Sequence, residues 1–221
     1  MNRTINNRSI TSFRAIKPGL LCKSLMVGSL LLFSNASFAM QAPDEVVKTT
    51  VNQIINNIQA NRAAYSEDSQ KLYAMVEQVL VPTLHVDRMS SLILGKNARS
   101  ATAAQKKAFS DEFKTFLMRT YAIALLEYTG NEDVIYEPIT LAPGADKVTI
   151  RATLVATDGQ RYPVNLFMSN RRDTKWRAYN MEVAKINFVA TYRNTFGDII
   201  TKKGVDGLIA ELRAKNARSA G

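Results

Sequence analysis

Reactive side chains are scarce in this sequence, which holds one cysteine and one histidine in 221 residues. Cys22 lies before an apolar run at 25–33, so residues 40–221 contain no cysteine. Disulfides and thiolate metal sites are thereby excluded from that part of the chain. Cys22 is also in the wrong place for a lipoprotein acceptor, which sits directly after such a run. His85 has Asp87 two residues on, but no nucleophile-elbow motif accompanies them, and a catalytic triad is defined by geometry rather than by presence. A metal site would fall to carboxylates alone, and these are scattered without calcium-loop spacing. Glu127 and Glu137 read as surface charges. Phosphate-cradling glycine loops are missing as well: Gly95, Gly130 and Gly204 each stand at a predicted helix end. No apolar run approaches the ~20 residues of a membrane span.

Acidic residues are absent from the first 39 positions, where Arg3, Arg8, Arg14, Lys17 and Lys23 stand alone. A basic front, the nine-residue, mostly apolar run 25–33 and the small residues of Ser37-Phe38-Ala39 predict a secretory signal peptide over 1–39, cleaved before Met40. The full chain carries +10; without that segment 24 bases face 19 acids, or +5. A mild positive charge suits anionic partners, lipid surfaces included. Arg171, Arg172 and Lys175 cluster in one loop, and Lys202 and Lys203 near a helix end. No basic block is interleaved with aromatics, which argues against nucleic acid.

What is present in quantity is apolar patterning. Val148, Ile150, Ala152 and Leu154 alternate with polar neighbours, Asp158-Gly159 turns the chain, and Val164, Leu166 and Met168 alternate again. Period-two alternation on both sides of Asp-Gly predicts a hairpin. Further strands are expected at 134–136 and 175–181. Helical spacing predicts helices over 44–62, after Ser66, over 87–94, from Thr102 to Gly130 as the longest of the chain, and on either side of Gly204, the first of these capped by Asn187. Thr102 and Gln105 form a capping-box signature. The expected fold class is α+β: an antiparallel four-stranded meander with helices packed over one face, in a single domain over 40–221. Periodicity alone reads the apolar and aromatic residues as core, and a solid core and a hollow one give the same pattern.

Resemblance goes further. Leu80-Val81-Pro82, then Val86-Asp87, Leu92-Ile93-Leu94-Gly95-Lys96, Ser100-Ala101-Thr102-Ala103-Ala104-Gln105, Phe109 and Thr120-Tyr121 follow in order. So do Trp176-Arg177-Ala178-Tyr179-Asn180-Met181, Phe196 and Thr201-Lys202-Lys203-Gly204-Val205-Asp206-Gly207-Leu208. Together they resemble the MlaC family, the periplasmic phospholipid-binding or toluene-tolerance proteins. The chain departs from the family pattern at Asn97 and Ala98, where two aromatics are usual, and at Asn180, where Asp is usual. It departs again at Ala184-Lys185-Ile186-Asn187, where the family reads Glu-Gly-Val-Ser.

The resemblance implies a curved sheet and helices enclosing a deep apolar cavity for acyl tails, with the headgroup near solvent. It implies a soluble periplasmic, non-enzymatic phospholipid carrier in outer-membrane lipid asymmetry, with bound phospholipid as its only ligand and no cofactor. Its partners would be an outer-membrane lipoprotein–porin complex and an inner-membrane ABC transporter. On that reading the tail-contacting candidates are Phe116, Tyr121, Leu125, Leu154, Leu166, Trp176, Ile186, Phe188 and Tyr192, with Arg88 and Arg99 at the rim near the phosphate. Two other classes stay open: a small-molecule isomerase or hydratase in a similar cone, which needs a buried acid–base pair, and a solid-core adaptor, which has no cavity.

Overall fold

The computed structural model describes residues 40–171 and 174–218; the expected signal peptide lies outside them. Five helices and five strands follow in order among these residues: α1 (Pro43–Glu67), α2 (Ser69–Val79), α3 (Val86–Leu94), α4 (Ala103–Tyr121), β1 (Asp133–Tyr136), β2 (Lys147–Val155), β3 (Arg161–Ser169), β4 (Arg177–Val183), β5 (Ile186–Asn187) and α5 (Phe188–Arg218). The sheet is an antiparallel meander in the order β1-β2-β3-β4-β5, one two-residue strand longer than expected.

Register places the apolar alternation on one face. Val148 faces Met168, Ile150 faces Leu166, and Ala152 faces Val164 across β2 and β3. The residues between them point away; Arg151 is exposed, and Thr149, Asn165 and Phe167 are half-buried. The β3–β4 register shifts between Phe167 and Met168. Such a bulge re-aims side chains: Leu166 is left opposite Met181 and Met168 opposite Ala178, while Tyr179 packs its ring against Phe167.

The helices depart from expectation at three ends. Helix α4 stops at Tyr121, and the chain tightens into a 3₁₀ turn, Ile123–Glu127. Leu125 and Leu126 there pack against a cluster built from α1 and α2, and the Arg62 guanidinium donates to the carbonyl oxygens of Leu126 and Tyr128. A side-chain donor thus satisfies carbonyls that a continuing helix would have used. Helix α1 continues past Arg62 to Glu67 across a kink at Asn61, and so is longer than α4. Asp68, not Ser66, caps α2, its carboxylate accepting from the Gln70 N–H at 2.9 Å. Elsewhere the local chemistry acts as read. Thr102 and Gln105 form the reciprocal capping box of α4, and Asn187 Oδ1 accepts from the Ala190 N–H at 3.0 Å. Helix α5 breaks at Gly204, whose φ is 70°.

Ala184 and Lys185 connect β4 to β5 with φ of 50° and 69°. Val183 pairs with Ile186 across them. A two-residue hairpin with positive φ at both positions favours Asn-Gly, because a Cβ there costs roughly 1 kcal/mol or more. Lys185→Gly is therefore expected to raise stability by about 0.5–1 kcal/mol after the entropy of the unfolded glycine is set against it. For a chain of this size that is about 2 °C in Tm, checked by calorimetry; a lower Tm contradicts the turn.

Candidate functional site

Buried side chains of a filled interior usually merge into one contiguous core. Among the described residues they form three clusters. One is aromatic, between α3, α4 and α5, and centres on Phe109, Phe113 and Phe196. A second joins α1, α2 and the end of α4 through Ile58, Leu72 and Ala122. The third, with Ile150, Met168, Trp176 and Ala178, closes one end of the sheet under the start of α1.

A cavity of about 520 Å³ lies among the three, within the range of ~300–1,000 Å³ usual for small-ligand sites. Its floor is the apolar sheet face, from Val134 and Leu154 through Val164, Leu166 and Met168 to Met181. Its roof comes from Val47, Val51 and Ile54 of α1, Val76 of α2, Met89 of α3, and Leu117 and Met118 of α4. Leu154, Val164 and Leu166 stay only half-buried, because empty space rather than a packed neighbour faces them. Ile150 and Met168, against Trp176, are 2% and 1% exposed.

Thr50, Thr83 and Asn180 in the wall are already hydrogen-bonded within the protein. The Thr50 hydroxyl donates to the Val46 carbonyl at 2.7 Å, and that of Thr83 to Leu80 at 2.7 Å. Asn180 Oδ1 accepts from the Val189 N–H at 3.1 Å, and its Nδ2 donates to Asn187 Oδ1 at 3.2 Å. Asn at both positions gives one donor facing one acceptor, so the start of α5 is tied to β4 without the family's aspartate. Burial pushes the Tyr136 phenol up. Burial, then the hydrogen bond with Tyr121, raises that of Tyr192. These two hydroxyls, of Tyr121 and Tyr192, are 2.7 Å apart. Among the described residues the wall carries no carboxylate, imidazole or thiol, and there is no group of three or more His, Cys, Asp or Glu suited to a metal. No described helix is long and apolar enough to cross a membrane.

Of the residues proposed from the sequence, Tyr121, Leu125, Leu154, Leu166 and Phe188 line this cavity. The others lie elsewhere. Phe116 and Tyr192 turn into the aromatic cluster, their ring centroids 5.7 Å apart. Trp176 is 3% exposed inside the cluster that ends the sheet. Ile186 is 67% exposed, because Asn187 faces Asn180 and strand alternation sends its neighbour outward. Arg88 lies 3.8 Å from the centre of the Tyr179 ring, and Arg99 is a surface residue after a 3₁₀ turn; neither lines the cavity. Sequence reasoning missed the contribution of α1, although Val47, Val51 and Ile54 carried its stripe. It also missed Lys114, whose signal was a charge on the same helical face as Leu117 and Tyr121.

A family model described as MlaC protein matches residues 48–214. The chain is 29% identical over 206 residues to the toluene tolerance protein ttg2D of Pseudomonas putida, covering 90% of this chain and 94% of that one. It is 25% identical over 186 residues to the intermembrane phospholipid transport system binding protein MlaC of Haemophilus influenzae, covering 82% and 86%. A phospholipid-binding protein from Ralstonia solanacearum, solved in complex with a phospholipid, superposes with a TM-score of 0.73 at 28% identity, over 82% of this chain and 100% of its own. Over most of its length, and in the sheet and helices that build the cavity, the chain belongs to the MlaC family.

Proposed function

We propose that this protein is a periplasmic phospholipid carrier that holds acyl chains in the cavity between sheet and helices. The observation that carries the reading is the cavity itself: about 520 Å³, walled chiefly by aliphatic side chains with Tyr121, Tyr136 and Phe188, and with Thr50, Thr83 and Asn180 already hydrogen-bonded within the protein. Two acyl tails bury about 30 methylenes at about 0.8 kcal/mol each, so a phospholipid does not leave a bilayer unaided at useful rates. A carrier must match that burial nearly evenly, or it would never release the lipid. An aliphatic wall without fixed hydrogen-bonding demands does this. The phospholipid named with the Ralstonia structure supports the same ligand class.

The exchange partners of this reading are an outer-membrane lipoprotein–porin complex and an inner-membrane ABC transporter. An isomerase or hydratase needs a buried acid–base pair; the one charged residue in the described lining, Lys114, is paired with Glu77 at the exposed edge. A solid-core adaptor does not accommodate the cavity. Organic extraction and mass spectrometry of protein purified without detergent test the proposal. Phospholipid near one per protein, or one acquired from added vesicles, is expected. A well-folded protein that is lipid-free and takes up none from vesicles removes it.

A further inference from the structure

One charged side chain stands in the wall of this otherwise uncharged cavity. Lys114 lies on α4, two turns before Tyr121, on the face that carries Leu117 and Met118. Its side chain is 31% exposed, and its ammonium donates to Glu77 Oε1 of α2 at 2.7 Å, with Glu77 54% exposed. The lysine therefore stands where the wall between α2 and α4 meets water. An ion pair this exposed contributes little to stability and exchanges readily. On the carrier reading, the tails enter the apolar space while the phosphodiester, with one negative charge, stays at a wet edge. We infer that Lys114 is the headgroup-phosphate contact, its ammonium leaving Glu77 for the lipid phosphate when the tails fill the cavity. The inference rests on the proposed function. It replaces Arg88 and Arg99 as rim candidates, because among the described residues Lys114 alone joins a cation to the lining. Lysine fits such a contact, since a compact charge on a flexible stem reaches a phosphate without fixing its orientation.

The stem of Lys114 also covers apolar wall, so the informative variant is Lys114→Met, which keeps the stem and removes the charge. Protein loaded from vesicles of equal phosphatidylglycerol and phosphatidylethanolamine is mixed with empty acceptor vesicles, and release is followed together with the phosphorus-31 resonance of the bound lipid. K114M is expected to load lipid, to release it about ten-fold faster, as loss of one charge-assisted hydrogen bond implies, and to shift the resonance. E77Q, which removes the competing anion, should slow release below the wild-type rate. If K114M holds lipid with wild-type release and resonance, the lysine is only a stem and the inference is overturned. A wild type that takes up no lipid overturns the carrier reading instead. Inorganic phosphate added to lipid-free protein should leave the Lys114 amine unmoved relative to chloride; a phosphate-dependent shift would overturn the lipid assignment in favour of a free-anion site.

Discussion

Leu166→Asp is expected to strip the protein of phospholipid while leaving it folded. Leu166 sits mid-strand in β3, opposite Ile150 and Met181, with its side chain in the cavity wall. In the empty protein a carboxylate there meets cavity water, so the cost to folding stays at about 1–2 kcal/mol. Filling the cavity with tails removes that water. An ionised carboxylate against hydrocarbon then costs several kcal/mol, enough to lower loading by more than about 100-fold. The sign of the pH effect follows. The lipid-bound form raises the pKa of the new carboxyl, so protonation favours loading, and lipid uptake should partly recover as pH falls toward about 5. Extraction and mass spectrometry at both neutral and acidic pH read the effect. Met168→Asp, two residues along the same face but 1% exposed and packed into the cluster with Trp176, is the contrast: a carboxylate set into that packed end should unfold the chain. Wild-type lipid content in Leu166→Asp would place this face away from the ligand.

The sheet was legible because its signals are local and agree with one another. Alternation around Asp158-Gly159 specified both the pairing of β2 with β3 and the face that turns inward. The β4–β5 hairpin was not legible, since Ala184 and Lys185 adopt positive φ without the glycine or asparagine that normally marks such a turn. Helix ends are legible where the cap is a neighbouring side chain, as at Thr102. They are not where the cap comes from far along the chain, as when Arg62 of α1 takes the carbonyls that follow α4.

The cavity was legible only through resemblance, because emptiness has no composition. Much of the difference between expected and observed lining comes down to one helix. Phe113, Phe116, Leu117 and Tyr121 form one broad apolar stripe in the sequence. In the fold α4 divides it, Phe113 and Phe116 facing α5 and Tyr121 facing the cavity, while Leu117 lies at the boundary, in the cavity wall and against the aromatic cluster. Adjacent positions on a helix differ by about 100°, so which of Phe116 and Leu117 reaches the cavity is settled only when both neighbours of α4 are known. The stripe width, broader than one contact face needs, was the available hint.

That division makes Phe116→Ala the converse experiment. The ring is 5% exposed and packs edge-on to Tyr192 at 5.7 Å, close to Phe113 at 6.3 Å and Phe196 at 6.3 Å. The Lys215 ammonium lies 4.7 Å from its centre. Truncation leaves a void in a packed aromatic cluster, at an expected cost of about 3–5 kcal/mol, or about 10 °C in Tm for a chain of this length. The cavity wall runs through Leu117, Met118 and Tyr121 of the same helix instead. Lipid per folded molecule should therefore match wild type, and added phospholipid should raise the Tm of both forms by the same increment, since binding to the folded state alone sets that increment. Calorimetry with and without lipid, beside extraction, separates the two roles. An unchanged Tm with lost lipid would move Phe116 into the wall and Leu117 out of it.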